Sequence, residues 1–175
     1  MPETIEARQR DGTPDVSELQ RMSCAPFVQT PVEVARKMIE LADLRLGQVL
    51  FDLGAGDGRL VIMAAQETDA SGVGVEIRDD LVERARSEIK KLNLEERVRM
   101  IHGDFFNVDL KDADAITLYL TTSGNERLRP KLEGELRKGA KVISHDFKVG
   151  NWKPSLVYNE LLGHTIYAYT IGEQL

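Results

Sequence analysis

Hydrophobic positions along this chain follow two periods in turn, and the alternation predicts strands separated by helices. Short runs of apolar residues are typical of strands buried on both faces of a sheet. These runs occur at 48–51, 72–77, 98–101, 115–120 and 141–145. Apolar residues spaced three and four apart predict helices at 31–42, 59–68, 79–92 and 125–136. Strand and helix alternate, so we expect a parallel sheet covered on both faces.

Two prolines set expectations about the helix ends. Thr30 is predicted to cap the first helix, because Pro31 suits the first helical position and Glu33 follows three residues after the cap. Pro130 lies inside the last predicted helix and is expected to force a break or a fresh start there.

The end of the chain departs from the alternation of strand and helix. Two strand-like segments at 156–161 and 164–171 are separated by Leu162 and Gly163 alone. Such a short connection predicts an antiparallel hairpin at one edge of the sheet. The expected fold class is therefore α/β, with a mostly parallel sheet and a C-terminal antiparallel hairpin, as in the Rossmann-like seven-stranded class I methyltransferases.

Length and composition predict one soluble domain. The chain has 175 residues, of which 42% are hydrophobic and 30% charged, enough to bury a core but too few for a second catalytic domain. Residues 1–24 lack a sustained apolar face and are predicted to be an N-terminal extension to a single domain at 25–175. No apolar stretch approaches about 18 residues, and no signal peptide is recognisable, so a cytoplasmic protein is expected.

Charge and metal-ligand content exclude several function classes. The net charge of −6 opposes nucleic-acid binding and favours basic protein substrates. Cys24 is the single cysteine, so neither an internal disulfide nor a cysteine zinc site is expected. The histidines at 102, 145 and 164 are far apart in sequence and lack ligand spacing, so no metal is expected.

The segment 51–59 reads Phe-Asp-Leu-Gly-Ala-Gly-Asp-Gly-Arg, between a predicted strand and a predicted helix. Its three glycines allow a tight turn and direct contact between backbone and ligand. The spacing differs from the dinucleotide fingerprint, and Arg59 would crowd the helix–strand packing that the fingerprint requires. Asp52 and Asp57 would repel a pyrophosphate. They suit the sulfonium and ammonium of S-adenosylmethionine; an NAD site and a turn without ligand are the alternatives.

Acidic and apolar residues follow the next two strands, where the ligand of a doubly wound sheet lies. Glu76, 24 residues after Asp52, can accept hydrogen bonds from both ribose hydroxyls, and Ile77 can form a wall for the adenine. Asp104 can accept from the adenine amino group, and Phe105 can pack on the base. The predicted cofactor residues in these segments are Asp52, Gly54, Ala55, Gly56, Glu76, Ile77, Gly103, Asp104 and Phe105.

The fourth strand leads into Tyr119-Leu120-Thr121, where a methyl acceptor would arrive. Holding two reactants in line is worth up to ~7–11 kcal/mol, so a dedicated base is optional. A lysine acceptor, with a reference pKa of about 10.4, must first lose its proton, and apolar walls favour its neutral form. Tyr119, the Leu120 carbonyl and the Thr121 hydroxyl are the candidates that orient the amine. Alternatively these groups face water or cap the next helix.

Eight segments spanning about 25–173 together resemble the archaeal seven-strand protein lysine methyltransferases, which are related to the lysine methyltransferase of the ATP synthase c ring protein and to the non-SET histone lysine methyltransferases. They are 27–31, 52–59, 74–77, 103–106, 120–122, 125–126, 142–147 and 169–173. The Thr-Pro pair at 30–31 and Ser-His-Asp-Phe at 144–147 are the most specific of these. The resemblance implies that Phe27 and Thr30 close over the methionine end of the cofactor.

The resemblance also implies a function. It implies a monomeric enzyme that converts S-adenosylmethionine to S-adenosylhomocysteine and methylates exposed lysines, with broad specificity, on small basic or chromatin-associated proteins. No direct nucleic-acid or membrane partner is expected. Two alternatives stay open: a methyltransferase of the same fold that acts on RNA or a small molecule, and a non-catalytic S-adenosylmethionine-binding protein.

Overall fold

The computed structural model describes residues 28–175, so the predicted extension at 1–24 and Phe27 lie outside the described residues. The helices are α1 (Val32–Ala42), α2 (Arg59–Glu67), α3 (Asp79–Lys91) and α4 (Thr122–Glu135). The strands are β1 (Val49–Leu53), β2 (Ser71–Glu76), β3 (Val98–His102), β4 (Ala115–Leu118), β5 (Lys141–His145), β6 (Leu156–Leu161) and β7 (His164–Thr170). A 3₁₀ turn (Phe105–Asn107) follows β3. Within 28–175, no helix combines the length and apolar character needed to span a membrane.

The seven strands form one sheet in the order β3-β2-β1-β4-β5-β7-β6. β1 to β5 are parallel, β7 is antiparallel to β5, and β6 is antiparallel to β7. The predicted fold class, including the C-terminal hairpin, is confirmed. The strand order reverses at β1, so a crevice opens at the carboxyl ends of β1 and β4, where doubly wound sheets bind ligands.

The core lies on both faces of the sheet. Leu50 of β1 packs with Met38 of α1 on one face, and its neighbour Phe51 packs with Leu128 of α4 on the other. Successive residues of a strand point to opposite faces, so both faces need apolar cover. This explains why the strands read as continuous apolar runs.

Helix α4 is continuous through Pro130, so the prediction of a break there was wrong. A proline inside a helix costs about 3 kcal/mol or more, because it removes one hydrogen bond and crowds the preceding turn. Leu128 and Leu132 are fully buried on the same helix, and burial of a leucine contributes about 1.5–3 kcal/mol. The core contacts on either side of the proline therefore offset its cost.

Two element boundaries also differ from the predictions, and both affect the site. Helix α1 begins at Val32 with Pro31 at the cap position, so Thr30 is not the cap; it is buried instead. Strand β4 ends at Leu118, where its pairing with Leu53 of β1 ends. Tyr119 and the residues after it therefore leave the sheet.

Candidate active site

A cavity of about 460 Å³ lies beside the glycine loop and the ends of the parallel strands. It brings together nearly all the residues that the sequence predicted. Those in its lining are Thr30, Asp52, Gly54, Ala55, Glu76, Ile77, Gly103, Asp104, Phe105, Tyr119, Leu120 and Thr121. Of the predicted site residues within 28–175, Gly56 alone is outside the lining. The carboxyl ends of successive parallel strands meet at one edge, which explains this convergence.

The loop between β1 and α2 turns through three glycines in left-handed conformations. Their φ angles are +82° at Gly54, +57° at Gly56 and +78° at Gly58. The Gly54 amide donates to the carbonyl of Val75 over 2.9 Å, which ties the loop to β2. At Gly58 a Cβ would lie 3.0 Å from the Cβ of Ala85. Both the φ angle and the close helix packing therefore require glycine here.

Asp52 is a buried carboxyl group in the wall of the cavity. Burial raises its pKa to about 7; the hydrogen bond from Thr117 opposes this, and the charges of Glu76 and Asp57 add to it. The Thr117 hydroxyl donates to Asp52 over 2.8 Å and fixes its orientation. A cation in the cavity would stabilise the carboxylate form.

The Glu76 carboxylate is fixed by three backbone amides at the end of β2. Its Oε1 accepts from Gly56 at 3.0 Å, and its Oε2 accepts from Ile77 at 2.7 Å and Arg78 at 3.0 Å. Gly56 therefore serves the site by holding Glu76. Each carboxylate oxygen accepts more than one hydrogen bond, so the group can still receive ligand hydroxyls.

The Gly103–Phe106 segment forms the wall after β3. Asp104 Oδ1 accepts from the Phe106 amide at 2.9 Å and caps the 3₁₀ turn. The rings of Phe105 and Phe106 are 4.9 Å apart, and the Arg127 guanidinium lies 5.5 Å from the Phe106 ring. The carboxylate is thus held beside two aromatic rings that also line the cavity.

Arg59 has a role that the sequence did not reveal. Its guanidinium donates to the Thr30 carbonyl over 3.0 Å and lies 3.6 Å from Asp57. The Gln29 amide donates to the same aspartate over 3.3 Å. Arg59 therefore joins the segment before α1 to the glycine loop across the cavity mouth. Its position in the loop motif was visible in the sequence, but its partner 29 residues away was not.

The far wall of the cavity is aromatic. The Tyr119 ring lies 3.9 Å from the buried His145 ring and is stacked 6.5 Å from Phe147. Burial raises the pKa of Tyr119, so its hydroxyl stays neutral. Thr121 caps α4 through its hydroxyl oxygen, which accepts from the Gly124 amide at 3.1 Å. The helix-capping alternative is thus confirmed for Thr121, which also lines the cavity.

Asn125, another residue without a predicted role, supports this wall. Its buried side chain donates to the carbonyls of Phe147 and Lys148 over 3.2 and 3.0 Å. These bonds hold the loop after β5 against α4. The segment 125–126 belonged to the family resemblance, which is the only sequence signal for its importance.

The histidines were expected to lie apart, and for two of them this was wrong. Pairing of β5 with β7 brings His145 and His164 within 2.9 Å, with Asp146 beside both. The pKa of His145 falls to about 4, mainly through burial. Sequence separation was a poor guide here because the two strands are neighbours in the sheet.

Comparison with known proteins places this site in a family. A sequence model of the ANTKMT methyltransferase domain matches residues 52–156. A protein-lysine N-methyltransferase of Saccharolobus islandicus is 41% identical over 152 residues, covering 85% of this chain and 94% of that protein. A Xenopus laevis lysine N-methyltransferase named for the c ring protein of ATP synthase is 28% identical, covering 97% of this chain and 74% of that protein.

A solved structure is similar over the same region. It is an RNA methyltransferase from Salinibacter ruber in complex with S-adenosyl-L-homocysteine, with 45% identity, a TM-score of 0.81, and coverage of 85% of this chain and 96% of that chain. These matches confirm the predicted class I methyltransferase fold and S-adenosylmethionine as the methyl donor. The chain belongs to the ANTKMT methyltransferase domain family.

Proposed function

We propose that this protein methylates lysine side chains of other proteins. The observation that carries the proposal is one cavity with two chemically different walls. Carboxylates line one wall, at Asp52 and Asp57, and the Tyr119 and Phe147 rings line the other. The first wall suits a cationic methyl donor, and the second suits a neutral amine. The named activities of the Saccharolobus and Xenopus relatives support this assignment.

The residues in the cavity fit S-adenosylmethionine, which supplies an electrophilic methyl group when bound. Asp52 and Asp57 compensate its positive charges. Glu76, already oriented by three amides, accepts the ribose hydroxyls. Asp104 keeps its Oδ2 for the adenine amino group, since its Oδ1 is bound to Phe106. Phe105 packs on the base.

The remaining predicted cofactor residues contribute through the backbone and apolar surface. Gly54 and Ala55 present the glycine loop, Gly103 leaves open space beside the base, with no atom within 4 Å of a Cβ placed there, and Ile77 is half-buried in the lining. Thr30, held by Arg59, covers the methionine end. Phe27 is proposed for the same cover on the family resemblance.

The acceptor wall orients the amine without a dedicated base. The Tyr119 hydroxyl and the Leu120 carbonyl supply neutral oxygens that accept from the lysine nitrogen, while the aromatic rings exclude water and favour the neutral amine. Thr121 is the third candidate, although its oxygen already caps α4. Correct alignment of two bound reactants supplies up to ~7–11 kcal/mol, so these positioning contacts are sufficient.

The substrates we propose are small basic proteins, including chromatin-associated ones, with exposed lysines. A net charge of −6 attracts such partners, and a single small domain reads little of the sequence around each lysine. We propose that the enzyme acts as a monomer with broad specificity. Its cytoplasmic location stays a prediction.

An RNA substrate is the second candidate, because the Salinibacter neighbour carries that activity in its name. The experiment is to incubate the full chain with methyl-labelled S-adenosylmethionine and either histones or bulk tRNA, and to locate the label by mass spectrometry. We expect label on lysine ε-nitrogens. Histones with lysines blocked by reductive dimethylation are the matched control and should take up much less label.

Two outcomes would contradict the proposal. Label in tRNA with none on lysine would favour the RNA alternative. Calorimetric binding of S-adenosylmethionine without transfer to either acceptor would favour the non-catalytic alternative.

A further inference from the structure

A compact group of two histidines and one aspartate lies behind the aromatic wall. His145 is the last residue of β5, Asp146 follows it, and His164 is the first residue of β7. Their ligand atoms are His145 Nε2, His164 Nδ1 and Asp146 Oδ2. The nitrogens are 2.9 Å apart, and the carboxylate oxygen is 3.3 Å from each. Three strong ligand atoms thus converge on one point.

The size of this triangle fits a transition-metal ion. An atom about 1 Å above its plane lies about 2.1 Å from all three corners, within the ~2.0–2.2 Å typical of zinc bonds to nitrogen and carboxylate oxygen. Ideal tetrahedral ligands with such bonds are about 3.3 Å apart. Two histidines, one carboxylate and an open fourth position are a common zinc ligand set.

The backbone holds Asp146 for this role. Its φ of +62° is left-handed, which is uncommon for a residue with a side chain. Its Oδ1 accepts from the Thr165 amide at 2.9 Å, and its own amide donates to the Thr165 carbonyl over 2.7 Å. One carboxylate oxygen is therefore pinned by β7, and the other faces the histidines.

Hydrogen bonding within the group does not satisfy it. At 2.9 Å the two ring nitrogens have room for a hydrogen on one of them, so a single ring hydrogen faces two atoms with lone pairs. A divalent cation would satisfy all three atoms. His145 is fully buried, whereas the side chains of Asp146 and His164 are 25% and 29% exposed. An ion can enter from that side, and water can take the fourth position.

We propose that His145, Asp146 and His164 bind a divalent first-row transition-metal ion, Zn²⁺ in preference, with water as the fourth ligand. The ion joins the ends of β5 and β7 and fixes the His145 ring on which Tyr119 packs. It thereby supports the acceptor wall without contacting the acceptor. This proposal replaces the expectation, based on sequence spacing, that no metal is bound.

The test uses the full chain, freed of metal with a chelator and then titrated with Zn²⁺ alone by calorimetry. We expect one equivalent to bind, a rise in Tm, and tetrahedral visible bands when Co²⁺ replaces Zn²⁺. His164→Ala and Asp146→Asn should each weaken Zn²⁺ binding by at least about 100-fold, since even outer-shell partners cost about 10–100-fold. His102→Ala, which removes an exposed histidine elsewhere, should bind as the wild type does.

Both variants remove partly exposed side chains, and circular dichroism of the metal-free proteins checks that they fold. The proposal is overturned if the wild type shows no saturable Zn²⁺ binding, or if folded His164→Ala binds Zn²⁺ with wild-type affinity. It is equally overturned if His102→Ala loses as much affinity as His164→Ala. These readouts need no methyl transfer, so they are independent of the proposed enzyme activity.

Discussion

Cofactor binding should strengthen as pH rises through neutrality, because a buried carboxyl must ionise to receive a cation. Burial raises the pKa of Asp52 to about 7. At about pH 6 roughly nine-tenths of this group carries a proton, and at about pH 7.5 roughly a quarter does. When only the carboxylate form accepts the ligand, apparent affinity scales with that fraction. The affinity for S-adenosylmethionine should therefore rise about eightfold, or about 1.2 kcal/mol, over this range.

The assay is isothermal titration calorimetry across this pH range, in two buffers with different ionisation enthalpies, so that protons released on binding are counted. Asp52→Asn should bind more weakly near pH 7.5 and lose the pH dependence. Asp57→Asn should keep the dependence, with its midpoint slightly lower, because the Asp57 charge is a minor cause of the raised pKa.

The reasoning fails if wild-type affinity is the same at both ends of the range, or if Asp52→Asn keeps the wild-type slope. Stability offers a second check with the opposite trend. A carboxyl with a folded-state pKa above its unfolded value binds more protons when folded, so its contribution to stability is full below about pH 4 and is lost by about pH 7. Asp52→Asn should remove that decline in unfolding measurements without cofactor.

Three further substitutions test other parts of the site. Glu76→Gln should lower affinity for S-adenosylmethionine about 10–100-fold in calorimetry, because hydrogen bonds to a charged acceptor contribute about 1.5–3 kcal/mol; an equal loss in the exposed control Glu96→Gln would count against the assignment. Thr121→Val should cost about 1 kcal/mol in chemical unfolding through the lost cap, and slow methyl transfer with cofactor affinity intact, whereas Thr121→Ser should restore both. Gly58→Ala should destabilise the fold by about 1–2 kcal/mol, because its φ is left-handed and Ala85 is 3.0 Å from the new Cβ; unchanged Tm would refute this.

Much of the site was predictable because it depends on short segments at strand ends. Asp52, Glu76 and Asp104 each follow a recognisable apolar run, and parallel strands place such residues at one edge of the sheet. Arg59 and Asn125 were not predictable in the same way. Their partners, the carbonyls of Thr30 and Phe147, belong to distant segments, and backbone carbonyls carry no sequence signal.

Local chemistry in the sequence therefore determined the order of strands and helices, the glycine loop and the preference for a cationic cofactor, since each depends on neighbouring residues. The tertiary structure decided which distant residues meet. It kept α4 continuous through Pro130 because buried leucines flank the proline, and it raised the pKa of Asp52 through burial. It also joined His145 to His164 by pairing β5 with β7. Burial and strand pairing are sums over the whole fold, so no single segment could reveal them.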